Sequence, residues 1–207
     1  MLVLASASPR RRQLLSQAGF TFEVRPAHVP EDPKPGEDPI AYVTRLAREK
    51  AQDVFDRIAA DAAAIAAPGA IDIQSPAVLG ADTTVTLDGL ILGKPEDAED
   101  AARILRMLSG RSHRVITGVA LVTQNAVEVA AEVTAVQFLT LSDEEIAAYI
   151  ATGEPMDKAG AYGIQGVAAR WIPRVEGCYF NVMGLPLALV ATMLESRGVT
   201  AQAAPHF

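Results

Sequence analysis

The stretch Val78-Leu-Gly-Ala-Asp-Thr-Thr-Val-Thr-Leu-Asp-Gly-Leu-Ile-Leu-Gly-Lys-Pro95 constrains this chain more than any other. Its apolar start reads as a strand that delivers Asp82 at its C-terminal end. A second strand, Val85 to Leu87, meets Asp88-Gly89 and returns as Leu90 to Leu92. Asp-Gly between apolar runs predicts a tight hairpin, because Gly tolerates the positive φ that such a turn needs. The returning arm presents Lys94 just before Pro95. One compact unit thus offers a carboxylate and an ammonium, a pairing that suits a metal ion and a phosphate side by side. A carboxylate at the end of a strand in an α/β sheet stands where ligands bind, and there it can hold Mg²⁺ or take a proton from water. Taken alone, Asp82 reads better as an ordinary turn or helix-cap aspartate, and Lys94 as a solvated lysine.

The rest of the chain supplies elements for a sheet around that unit. Leu2 to Ala5 reads as a buried strand. Ser6-Ala-Ser-Pro-Arg-Arg-Arg12 turns it into a helix from Pro9 to Ala18, with Ser8 as N-cap, Pro9 in the first turn and Gly19 as stop. Strand, polar turn and helix N-terminus in that order make an anion site, because the first helical N–H groups are unpaired and lie at the positive end of the dipole. Ser6, Ser8, Arg10 and Arg11 can then grip a triphosphate with hydroxyls, amides and guanidiniums. The other reading is a basic first turn on the surface, which opposes the dipole at a small cost.

A strand from Phe20 to Arg25 leads to a Pro- and acid-rich loop, His28 to Pro39, that reads as exposed and mobile. Ile40 to Ala67 is helical, with Tyr42, Leu46, Val54 and Ile58 as its apolar stripe and Arg45, Arg48, Glu49 and Lys50 among the polar positions. The Ala-rich segment 61–76 reads as a solvated extension of that helix. Further expectations are a helix from Glu96 to Ser109, a strand from Val115 to Thr123 and a long, bulged strand from Val127 to Leu141. The capping box Ser142-Asp-Glu-Glu145 opens a helix to Thr152. Strands are expected at Val167–Val175 and Tyr179–Val182, then a helix from Gly184 to Arg197 and a frayed tail over 199–207. The alternation predicts one α/β or mixed α+β domain over residues 1–207, in two lobes.

Composition excludes several classes. At 207 residues the chain suffices for one core. A net charge of −7 argues against a nucleic-acid or membrane-surface binder, which would carry a basic face. The sole cysteine, Cys178, leaves no disulfide framework, and a reducing cytoplasm is the expected compartment. No apolar run approaches the ~20 residues that span a bilayer. The histidines, His28, His113 and His206, lack metal-ligand spacing, and His113 reads as structural.

A third cluster is Glu154-Pro-Met-Asp-Lys158-Ala-Gly-Ala-Tyr-Gly-Ile-Gln165-Gly166. Gly160, Gly163 and Gly166 allow close backbone approach to a ligand. Lys158 can neutralise a phosphate, and Gln165 carries the donor–acceptor pair that reads an imide-type base edge. Tyr162 and Ile164 argue that the loop is anchored in the core, against a loose surface loop. Neither a Gly-x-x-x-x-Gly-Lys-Ser/Thr phosphate loop nor Gly-x-Gly-x-x-Gly occurs, so kinase-like and dinucleotide-binding readings lose their main supports.

In order along the chain, Leu4–Leu15, Arg45–Ala51, Val78–Pro95, Leu108–Thr117, Glu154–Gly166 and Asn181–Pro186 resemble the Maf family of nucleoside triphosphate pyrophosphatases, first known as septum-formation inhibitors. The resemblance implies a two-lobed Maf/inosine-triphosphatase-like fold with a central mixed sheet and a cleft lined by 4–12, 78–95 and 154–166. It implies cleavage between the α and β phosphates, a divalent cation (Mg²⁺ or Mn²⁺), a homodimer, and a house-cleaning role. Asp82 matches the family's general base. Ser6, Ser8 and Arg11, with Lys50, Lys94 and Lys158, match phosphate-binding positions, while Glu31 matches a metal-associated glutamate more loosely. Arg10, Thr83 and Gln165 match the branch that acts on dTTP and UTP. The alternatives are a pyrophosphatase for 7-methyl-GTP or another modified nucleotide, and a nucleotide-binding regulator with little turnover.

Overall fold

The computed structural model describes residues 1–65 and 76–202. The elements are β1 (Leu2–Leu4), α1 (Pro9–Gln17), β2 (Glu23–Val24), α2 (Pro39–Ile65), β3 (Ala77–Leu87), β4 (Leu90–Leu92), α3 (Ala98–Leu108), β5 (Ser112–Thr123), β6 (Ala126–Gln137), α4 (Asp143–Ile150), β7 (Arg174–Glu176), α5 (Tyr179–Val182) and α6 (Leu187–Glu195). The seven strands form one mixed sheet in the order β2-β1-β3-β5-β6-β7, with β4 folded back on β3. The expected mixed α/β architecture is present.

β3 is the spine of the sheet. One edge pairs with β5 over residues 78–86. On the other edge β1 pairs with residues 77–79 and β4 with 85–87, which leaves 80–84 without a neighbouring strand. The β3–β4 turn has Asp88 at φ 52° and Gly89 at φ 81°, the left-handed pair that a two-residue type I′ hairpin requires.

Alternation along the strands sorts side chains onto two faces. Leu79, Ala81, Val85 and Leu87 join Val115, Val119 and Leu121 in the larger core, under α1, α3, α4 and α6. Val78, Ala120 and Val122 face the other way, onto Ala47, Ala51 and Val54 of α2. α2 lies close because two strand residues have no side chain. A Cβ on Gly80 would stand 2.2 Å from the Ala47 carbonyl oxygen, and one on Gly118 would stand 2.3 Å from that of Val43.

Several local expectations need correction. Asp82 does not end a strand: β3 runs unbroken from Ala77 to Leu87, because the β-branched run Thr83-Thr-Val-Thr86 continues the ladder with β5. β6 shows no bulge, since its register with β5 is continuous from Ala126 to Gln137. It stops there because Phe138 N–H turns to the Arg111 carbonyl and Leu139 N–H to that of Trp171. Val167–Trp171 is a 3₁₀ turn instead of a strand, with Ala168 and Trp171 buried at i, i+3 spacing, and only Arg174–Glu176 pairs with the sheet. Tyr179–Val182 is a helical turn that buries Asn181. β2 is shorter than expected, and the last helix spans Leu187–Glu195. The loop before α2 is exposed but stitched down: Tyr42 OH donates to the Glu31 carbonyl, Arg45 to Asp32 and Glu37, and Asp53 accepts from His28 N–H. Residues 66–75 of the Ala-rich segment and 203–207 of the tail lie outside the described residues.

Candidate active site

The close seat of α2 over Gly80 and Gly118 brings Lys50 to Asp82. The four-residue spacing that aligns Tyr42, Leu46, Val54 and Ile58 has position 50 as its missing member, so Lys50 projects onto the sheet within an apolar stripe. It is only 8% exposed, and Asp82, one turn of the pleat beyond Gly80, is 7% exposed. Lys50 Nζ donates to Asp82 Oδ1 at 2.7 Å. The same ammonium meets Glu31 Oε1 at 2.6 Å, on the loop that Tyr42 tethers. Burial raises the Glu31 carboxyl. The hydrogen bond from Lys50, with the charges of Lys50, Lys94 and Arg11, outweighs that and holds it below the ordinary carboxylate range. Tyr42 shares the site's field: burial, reinforced by Asp82 and Glu31, pushes its phenol up to about 12.

The turn at Ser6–Pro9 fills the gap in the edge of β3. Ser8 caps α1 by accepting from Arg11 N–H at 3.4 Å, and Ser8 N–H donates to Ser6 Oγ at 3.3 Å. Arg11 reaches across the gap. Its Nη1 donates to the Ala81 carbonyl at 2.8 Å and to Ser6 Oγ at 3.4 Å, its Nε to the Gly184 carbonyl at 2.8 Å, and its Nη2 to Thr83 Oγ1 at 2.9 Å. Burial lowers the guanidinium pKa, and the charges of Asp82 and Glu31 oppose that. Four of the five N–H groups are thus committed to protein acceptors, which leaves one for a ligand. Arg10 and Lys94 differ: neither makes an ion pair or side-chain hydrogen bond among the described residues, although Lys94 acts on Glu31 and Arg10 on Asp157 through their charges.

The Gly-rich loop is anchored, as Tyr162 and Ile164 led us to expect; both are buried. Glu154 holds it from within. Its carboxylate accepts from Tyr149 OH at 2.9 Å and from Val167 N–H at 3.3 Å, and a Cβ on Gly166 would overlap it. Gly160 N–H donates to the Gly93 carbonyl at 3.0 Å, which ties this loop to the segment carrying Lys94. Lys158 Nζ donates to the Glu154 carbonyl and to Asp157 Oδ1, both at 2.5 Å. The Lys158 hydrogen bond holds the Asp157 carboxyl below its ordinary value. Gln165 is exposed at the tip of this loop.

The sequence-derived residues therefore divide. Asp82, Lys50 and Glu31 meet directly, on the α2 face of β3. Ser6, Ser8 and Arg11 form the adjoining turn, and Arg10, Lys94, Lys158 and Gln165 sit on segments that border it. Thr83 points the opposite way from Asp82. Its hydroxyl accepts from Arg11 and lies 2.9 Å from Thr117 Oγ1, so it is engaged in the larger core's side of the sheet. Sequence reasoning assigned no role to Tyr42, Thr117, Asn181 or Glu154. Thr117, Asn181 and Glu154 lie inside motif segments, and Tyr42 reads in the sequence only as a member of the apolar stripe.

Two carboxylates sharing one ammonium lie within reach of one cation. Mg²⁺ characteristically takes one or two protein carboxylates and fills its shell with water and phosphate oxygens, so Asp82 and Glu31 fit such an ion. No cluster of three or more His, Cys, Asp or Glu suited to a metal occurs among the described residues, which disfavours an all-protein cage. No described helix is long and apolar enough to cross a membrane.

Comparison with known proteins bears on the family. The family model described as Maf-like protein matches residues 1–197. A dTTP/UTP pyrophosphatase of Koribacter versatilis is 53% identical over 198 residues, 96% of this chain and 95% of that protein. Proteins of the same name from Chromobacterium violaceum and Bacillus pumilus are 48% and 44% identical, covering 95% and 96% of this chain and 94% and 97% of theirs. The chain belongs to the Maf-like protein family.

Proposed function

We propose that this chain hydrolyses dTTP and UTP to the nucleoside monophosphate and pyrophosphate. The observation that carries the reading is the ion-paired trio Asp82, Lys50 and Glu31 beside the Ser6–Pro9 turn. The reading is supported by relatives named for that activity over almost the whole chain. The free cations Arg10 and Lys94 border a site whose own charges are otherwise paired, and a polyphosphate is the ligand that would use them.

In this reading Asp82 orients the attacking water and accepts its proton. Lys50 keeps Asp82 aimed through its 2.7 Å hydrogen bond. Lys94, Arg10 and the first turn of α1 neutralise the transferred and leaving phosphates. Lys158 contributes once a phosphate oxygen displaces Asp157. Gln165 pairs with the O4/N3 edge of thymine or uracil. A divalent cation held by Asp82 and Glu31 would polarise the phosphates and offset their charge. The cleft between segments 4–12, 78–95 and 154–166, the cytoplasmic setting and a homodimer complete the proposal.

The test is a nucleotide panel, with 7-methyl-GTP included and pyrophosphate as the readout, on wild type and Asp82→Asn. Pyrophosphate from dTTP and UTP, abolished in the variant, supports the reading. A preference for 7-methyl-GTP, or equal turnover in the variant, overturns it.

A further inference from the structure

We infer that Thr117 and Asn181 are positioning residues, acting through Thr83 to fix Arg11 and with it the distance between the phosphate-binding turn and Asp82. The inference rests on the polyphosphate reading of that turn, and it gives Thr83 an indirect role in place of base contact.

Proton directions along this path follow from the guanidinium at one end and from the distances beyond it. A guanidinium only donates, so Thr83 Oγ1 must accept from Arg11 Nη2. The single Thr83 proton then goes to Thr117 Oγ1 at 2.9 Å in preference to the Gly184 carbonyl at 3.4 Å. Thr117 accepts it and gives its own to the Asn181 carbonyl at 3.2 Å. Asn181 is in turn fixed by its Nδ2, which donates to the Val115 carbonyl and to Thr134 Oγ1, each at 2.9 Å. Thr117, Thr134 and Asn181 are all 0% exposed. The relay therefore runs one way, from a half-buried arginine at the gap in β3 into fully buried core.

What the relay fixes is chemically specific. Arg11 touches Ser6 Oγ in the turn and the carbonyl of Ala81, the residue before Asp82. A guanidinium that rotates away loosens both at once. Deleting the Thr117 hydroxyl leaves Thr83 to turn to the more distant Gly184 carbonyl, which already accepts from Arg11 Nε. The fault is thus delivered to Arg11, although Thr117 touches no part of the turn.

The experiment is a double-mutant cycle on the full chain with inorganic tripolyphosphate as probe, its Kd read by calorimetry, alongside kcat and KM for dTTP and thermal melts. Thr117→Val should weaken tripolyphosphate binding about tenfold, a figure in the range for one lost charge-assisted contact, and Thr117→Ser should restore it to within about twofold. In an Arg11→Lys background Thr117→Val should change the Kd less than about twofold, while its effect on the melt persists. Equal weakening in both backgrounds, or none in either, overturns the inference. A wild-type protein that binds tripolyphosphate without releasing pyrophosphate from dTTP overturns the proposed activity alone. One that binds no tripolyphosphate overturns both.

Discussion

The two faces of β3 solve opposite problems with neighbouring residues. On the α2 face, Asp82 and Lys50 are buried yet adjoin a half-exposed Glu31 and the unpaired Lys94. On the other face, Thr83 feeds a chain of hydroxyls and one amide closed off from solvent. The first face holds charge in surplus for a ligand. The second spends its hydrogen bonds on itself. Arg10 and Arg11 show the same split at consecutive positions, one free and one with four N–H groups engaged. The difference teaches that residues of one motif can serve different faces of the sheet, some left open and some spent on holding their neighbours.

The largest test of that division is Asp82→Asn. It should cut pyrophosphate release by about 10²-fold or more, the scale of a general base, with little change in the melt because Lys50 keeps Glu31. A variant that melts early but turns over normally would reverse the roles of the two faces.

The second test is pH. Burial pushes His113, on the closed face, down to about 4 from an ordinary 6.5. The unfolded chain binds that proton first, so the contribution is complete above about 6.5 and fades as pH falls toward 4, about 3 kcal/mol in all. Glu31 on the open face is lowered, so its contribution is lost only as pH falls below the ordinary carboxylate range. Urea melts from pH 7.5 to 4 should therefore lose stability mainly through His113, and His113→Gln should flatten that slope. An unchanged slope would remove His113 from the account.

Gly80→Ala bears on how the open face is built. With its Cβ 2.2 Å from the Ala47 carbonyl oxygen, α2 must shift, which should cost about 1–3 kcal/mol in a denaturant melt and lower kcat by separating Lys50 from Asp82. Asn181→Ala should cost a similar ~1–3 kcal/mol by stranding the Val115 carbonyl. The smallest effect is expected for Lys94→Gln: a few-fold rise in KM for dTTP with an unchanged melt, since Lys94 is exposed and unpaired.

Local chemistry made much of this legible in the sequence. The Asp88-Gly89 turn, the Ser8 cap and the Ser142–Glu145 capping box are short-range events, and each stands where its residues put it. Pattern misled where the apolar residues served long-range contacts. Val167–Val175 has strand-like composition, but Trp171 buries its ring against Tyr149 and donates its indole N–H to Glu145, which demands a 3₁₀ turn. The reading that puts Asp82 at a strand end fails, because the gap in one edge of β3 arises from where β1 and β4 stop. The Lys50 pairing left a trace, a charged residue in register with an apolar stripe. The Thr83 relay left none, since nothing local tells a threonine that its partner lies 34 residues away on the next strand.

The most direct test of the central claim is hydrolysis of dTTP in ¹⁸O-water by the wild-type protein, with products weighed by mass spectrometry. The account predicts dTMP carrying one ¹⁸O and unlabelled pyrophosphate. Label in pyrophosphate, or dTDP with inorganic phosphate, would contradict attack at the α-phosphorus beside Asp82.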